Sequence, residues 1–126
     1  MPYLNDRVLD NGLQVLDTEA DKILICGAEP ATFTAANATN ALGNKTFAAG
    51  AAFGSPAARS PSGRKVTSTA ISDGAVTGTG TASHWAAVDT VNSRLLAASS
   101  LSSPQAVTSG NVFTLGAFDI GIPGPA

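Results

Sequence analysis

Charge is what this sequence has least of. Asp, Glu, Lys and Arg make up 13% of its 126 residues, about half the share usual in a soluble domain. A surface this poor in charge suits burial against neighbours better than isolation in water. Large rings are scarce too, with one Trp, one Tyr and five Phe. Much of the apolar content is alanine, so the expected core is thin and built from Val, Leu and Ile. The single cysteine, Cys26, cannot form an internal disulfide, which excludes a disulfide-stapled secreted scaffold. One Cys and one His cannot supply a structural zinc site, and no spaced Asp/Asn loop with a terminal Glu marks calcium. No stretch approaches the roughly 18 apolar residues of a membrane span, and Met1–Arg7 lacks the basic-then-apolar layout of a signal peptide. The expectation is a soluble chain made in the cytoplasm, with no membrane partner, metal or other cofactor.

The net charge of −2 hides an asymmetry: residues 1–30 hold six acids and two bases, the remainder three acids and five bases. Such a chain can pair head to tail in an assembly, whereas five scattered bases make no nucleic-acid footprint, so no nucleic acid is expected as a partner. The length fits one domain over residues 1–126.

Along the chain, Leu9, Leu13, Leu16 and Ala20 fall at steps of one helical face, with Asn5 as a candidate N-cap. Against this, Asn11-Gly12 between apolar pairs is also a hairpin signal. The spacing favours the helix, and the hairpin over residues 7–16 stays open as its alternative. Lys22–Cys26 reads as a buried strand. Residues 27–64, broken by Gly and Pro, read as a long irregular arm carrying Phe33, Phe47 and Phe53. These rings either anchor the arm on a neighbour or tuck back onto their own sheet. From 65 to 122 the pattern is strands: Lys65–Ile71, a Ser72-Asp73-Gly74 turn, Ala75–Thr81, Ser83–Asp89, a turn at Thr90–Ser93, Arg94–Ser99, a loop with Pro104, Gln105–Thr108, and Asn111–Ile122. In the last, the inward phase changes from Phe113 and Leu115 to Phe118 and Ile120, which calls for a β-bulge near Gly116-Ala117. Residues 123–126 form a tail. The fold class is therefore mainly β, an antiparallel sandwich or jelly roll with one N-terminal α-helix and a long irregular arm.

Chemistry-bearing patterns are few. His84 with Asp89 or Asp73 and a serine is a triad by composition only. Cys26 has no activating base in view, and reads as a small hydrophobe at a strand end. The glycines of Gly74–Gly80 lack the lysine and following helix of a phosphate loop. Arg59, Arg64 and Lys65 are the basic cluster, facing either an acidic patch on a partner or solvent. No catalytic residue is assigned and no enzyme is expected. Trp85, alternating with small apolar residues, reads as core, its alternative being a sugar-stacking platform.

Several segments fall in the order of a known family. They are Leu9–Leu13, Ile25–Phe33 with its Cys-Gly-Ala-Glu-Pro turn, Leu42–Lys45, Ser62–Val66, Gly80–Ala86 and Ala117–Ile122. Together they resemble a family of small virion structural proteins of tailed bacteriophages and prophages. The likeness spans nearly the whole chain, although relatives carry helix formers where Asn11-Gly12 stands. It implies a place on the virion and no catalytic residues. The expected function is head decoration or cement, as a homo-oligomer with a trimer favoured, bound to the major capsid protein or other virion proteins. The alternatives are a low-copy base for a head spike, tail or fibre, and, from another class, a receptor- or glycan-binding module. In the decoration reading, Phe33, Phe47, Phe53, Arg59, Arg64 and Lys65 are the candidate partner contacts.

Overall fold

In the computed structural model, which describes residues 3–4, 12–48, 50–60 and 63–122, the chain is mainly β. Its antiparallel sheets curl into a half-barrel, with one short helix near the N-terminus. In chain order the elements are β1 (Tyr3–Leu4), α1 (Gln14–Glu19), β2 (Lys22–Cys26), a π-helical turn (Ala35–Thr39), β3 (Ala41–Thr46), β4 (Ala57–Ala58), β5 (Arg64–Thr67), β6 (Ile71–Val76), β7 (Gly80–Asp89), β8 (Arg94–Val107), β9 (Val112–Leu115) and β10 (Asp119–Ile122). Seven strands form the large sheet in the order β1-β8-β7-β2-β3-β6-β9, and β10-β5-β4 form a small one.

Because strand side chains alternate, β2 and β7 feed two cores. Ile23 and Ile25 with Trp85 and Ala87 face the concave side, where Leu13, Val15 and Leu16 around α1 meet Phe53, Val66 and Ile120. Leu24 and Cys26 with Ala86 and Val88 face the convex side, joined by Leu95, Ala98 and Ala36. β2 is buried on both faces, as its unbroken apolar run requires.

The helical face is present as Leu13, Leu16 and Ala20, all buried. The helix proper begins only at Gln14, after Gly12 turns the chain with φ +75°. Asn5 and Leu9, the start of the expected helix, lie outside the described residues.

Residues 27–64 are more ordered than an arm. β3 runs between β2 and β6 in the middle of the large sheet, and Pro30 and Ala36 are buried. Thr32 Oγ1 accepts the Ala35 N–H at 3.1 Å and so starts the π-helical turn.

Three other expectations are corrected. Arg64–Thr67 and Ile71–Val76 are separate strands in different sheets, and Ser72-Asp73-Gly74 is an irregularity inside β6 rather than a turn. There the ring of Phe113 covers Gly74 so closely that a Cβ would lie 2.3 Å from it. A strand glycine here marks an aromatic approach. The expected loop around Pro104 lies within β8. Ser100 pairs with His84 and Gln105 with Ala82, so Leu101–Pro104 bow out opposite Ser83 alone. Finally, Asn111–Ile122 is two strands. β9 pairs with β6, β10 pairs with β5, and the chain crosses between the sheets at residues 116–118. Phe113 and Ile120 are then buried from opposite sides of one core, which explains the change of phase.

Candidate contact surfaces

The six candidate contact residues divide by location. Phe53 is 1% exposed and sits edge-on to Phe118 with ring centroids 6.0 Å apart, so it builds its own core and offers nothing to a neighbour. Phe47 is half-buried against the concave core and Phe33 against the convex one. The three bases gather on the small sheet. Lys65 Nζ donates to Asp119 Oδ2 at 3.1 Å, Arg64 donates to the Pro56 carbonyl at 3.1 Å, and Arg59 lies across Gly121. Two of them are strand residues instead of loop residues. Asp119 also accepts from Thr67 Oγ1 at 2.6 Å. That hydrogen bond, then the Lys65 ammonium, holds its carboxyl below the usual carboxylate range.

The two aspartates that composition alone offered to His84 are engaged elsewhere. Asp89 is buried and caps the β7–β8 turn, accepting from the Val91 N–H at 3.0 Å, the Asn92 N–H at 3.3 Å and Asn92 Nδ2 at 2.8 Å. Asp73 pairs with Lys45 at 3.0 Å. His84 instead has Ser83 Oγ 2.8 Å from Nδ1 and Glu29 Oε2 3.8 Å from Nε2. The second distance is beyond hydrogen-bond range, so the carboxylate does not fix the ring's tautomer as a triad requires. Cys26 is buried, its thiol pushed up to about 11 by burial, which is the opposite of activation. Among the described residues no group of three or more His, Cys, Asp or Glu is placed to hold a metal. No described helix is long and apolar enough to cross a membrane.

Trp85 is 8% exposed, and Phe118 lies on it at 4.2 Å with the rings tilted by 34°. One face of the indole is thus occupied by the chain itself, as a core residue requires and a sugar platform does not.

Sequence reading missed a cleft between β8 and β9. β8 and β9 are consecutive in the chain and do not pair, and a cleft opens between Ser100–Val107 and Val112–Phe118. Its closed end is the Thr108–Asn111 turn. There the Gly110 N–H donates to the Val76 carbonyl at 2.9 Å and the Ser109 N–H to Thr79 Oγ1 at 3.0 Å. Ile25, Ala82 and Phe113 floor a cavity of about 170 Å³. Ser102, Ser103, Gln105 and Thr114 line it, and all four are exposed. Among the described residues, none that lines the cleft is charged. The signal was in the sequence: between Arg94 and Asp119 no residue carries charge.

Compared with models of known families, with curated proteins and with solved structures, the chain matches none. The reading of its function therefore rests on the surfaces just described and on the sequence likeness.

Proposed function

We propose that this chain is a structural protein of a tailed-bacteriophage particle, a head decoration or cement protein. It would lie on the capsid lattice as a homo-oligomer, a trimer being favoured, and bridge copies of the major capsid protein. The observation that carries this reading is the β8–β9 surface, lined among the described residues by no charged side chain, where exposed Ser, Thr and Gln flank a cleft floored by Ile25, Ala82 and Phe113. Covering such a surface costs little, because hydroxyls and amides re-form hydrogen bonds across an interface, whereas a charge buried there would lose its hydration. The segment resemblance to virion proteins supports the same assignment. Mechanically, the half-barrel supplies a rigid block. Contacts that depend little on charge would hold it to the lattice at the varied ionic strengths a particle meets.

The deciding experiment is a copy count by quantitative mass spectrometry on purified particles of a phage encoding this chain. Copies in the hundreds per particle are expected. A dozen or fewer would instead identify a base for a head spike, tail or fibre, and absence from the particle would refute the proposal.

A further inference from the structure

Asp73-Gly74 is the one Asp-Gly step in the sequence. Such a step can close on itself: the aspartyl Cγ can reach the next backbone nitrogen, and glycine, without a Cβ, neither blocks the approach nor restricts the backbone. A regular strand holds the two apart, but here the strand is irregular. β6 pairs Ile71 with Leu115 and Gly74 with Phe113 of β9, so Ser72 and Asp73 stand opposite Thr114 alone. That is a bulge, in which one residue is left out of the ladder. The Asp73 side chain is 68% exposed, so no packing fixes it. What does hold it is Lys45 on the neighbouring β3, whose Nζ donates to Asp73 Oδ2 at 3.0 Å.

We infer that Asp73-Gly74 is a site of spontaneous isoaspartate formation, slowed in the native fold by Lys45. Ring closure is a condensation. The Gly74 nitrogen bonds to Asp73 Cγ, a Cγ–O bond breaks, and that oxygen leaves as water with the carboxyl proton and the Gly74 amide proton. Water then opens the succinimide. Attack at Cγ restores aspartate, whereas attack at the Asp73 backbone carbonyl carbon reroutes the chain through Cγ, with no net change of mass. Only the protonated carboxyl offers water as a leaving group. The hydrogen bond from Lys45, then its charge, holds that carboxyl below the usual carboxylate range and so makes the reactive form rarer.

The product matters to the fold. It adds a methylene to the β6 backbone immediately before Gly74, the residue on which the Phe113 ring lies with no room for a Cβ. The added length unseats the ring and loosens β9 from β6. The inference stands apart from the particle reading, since it concerns the purified chain in solution.

Ageing of the purified full chain at neutral pH over weeks tests it. Tryptic peptides resolve the site: Asp73 falls within residues 66–94, whereas Asn11, whose Asn-Gly step forms isoaspartate too, falls within residues 8–22. Isoaspartate at position 73 is read as methylation by protein isoaspartate methyltransferase and as lost cleavage by an endoproteinase that cuts before aspartate. The wild type should accumulate it slowly. Lys45→Met should accumulate it about threefold faster, the scale of losing an exposed ion pair. Asp73→Asn, in which ammonia leaves and no carboxyl need be protonated, should deamidate at position 73 in the folded chain, and it decides the matter even if Lys45→Met does not fold. Three results would each overturn the inference: no isoaspartate at position 73 in folded Lys45→Met, a Lys45→Met rate equal to that of the wild type, or an Asp73→Asn chain that deamidates there in denaturant and not when folded.

Discussion

Replacing Gly74 with alanine should destabilise the fold, and removing the ring of Phe113 should abolish that effect. A Cβ on Gly74 would lie 2.3 Å from Phe113 Cε1 and Cζ, against an ordinary carbon contact of about 3.5 Å or more. The ring must retreat by about 1 Å. It is 6% exposed, and the same edge of the ring lies over Gly43 as well, where an added Cβ would come within 3.1 Å of it. Overpacking of this kind costs about 1–3 kcal/mol, more than the roughly 0.5–1 kcal/mol that alanine gains over glycine in a strand. Phe113→Ala alone should cost about 3 kcal/mol or more through the cavity it leaves. In the double variant the overlap is gone, so Gly74→Ala should become neutral or stabilising, giving a coupling of about 1–3 kcal/mol. Urea unfolding of the four proteins, followed by circular dichroism, measures this cycle. Additivity within about 0.5 kcal/mol would refute the account of Gly74 as a seat for the ring.

Three further outcomes are expected. Asp89→Ala should cost about 2–3 kcal/mol, because its buried carboxylate accepts two backbone N–H groups and a side-chain amide; thermal unfolding equal to wild type would show that the turn is held without it. Cys26, with its thiol pushed up to about 11, should resist alkylation at pH 8 in the folded protein and react at once in urea, and rapid native labelling would contradict its burial. Asp119, held low first by Thr67 and then by Lys65, should titrate below the roughly 3.9 of a free aspartate. Because the folded carboxyl is the stronger acid, its contribution to stability is present above the unfolded value and lost as pH falls through the folded one; in Thr67→Val its NMR titration should move upward, and an unchanged midpoint would remove Thr67 as the cause.

The parts of the fold legible in sequence were those governed by local period. Leu13, Leu16 and Ala20 declared a helical face, and Ile23–Cys26 declared a strand buried on both sides because nothing polar interrupts it. Trp85 and Ala87 shared a face as their spacing predicts, and Gly110 turns the chain with φ +92°. What failed depended on distant partners. Ala41–Thr46 carries a glycine and few β-branched residues, yet it is a central strand because β2 and β6 flank it. Gly74 looked like a turn residue until Phe113 was seen lying on it. The shift of phase at Gly116-Ala117 was visible, but a bulge and a change of sheet leave the same pattern in one dimension. Among the candidate contacts, Phe53 read equally as anchor or core, and only the fold put it beneath Phe118. The cleft escaped notice because it is made by a pairing that does not occur.

The crossing at residues 116–118 also sets a timetable for folding. β10 closes on β5 across a wide gap in sequence: the Thr67–Asp119 hydrogen bond alone joins residues 52 apart. Until that strand emerges from the ribosome, β5 has only the two residues of β4 beside it, and Val66 and Phe53 lack the cover of Ile120 and Phe118. Closing such a loop is slow. Until it closes, Val66 and Phe53 stay open to contact with other chains.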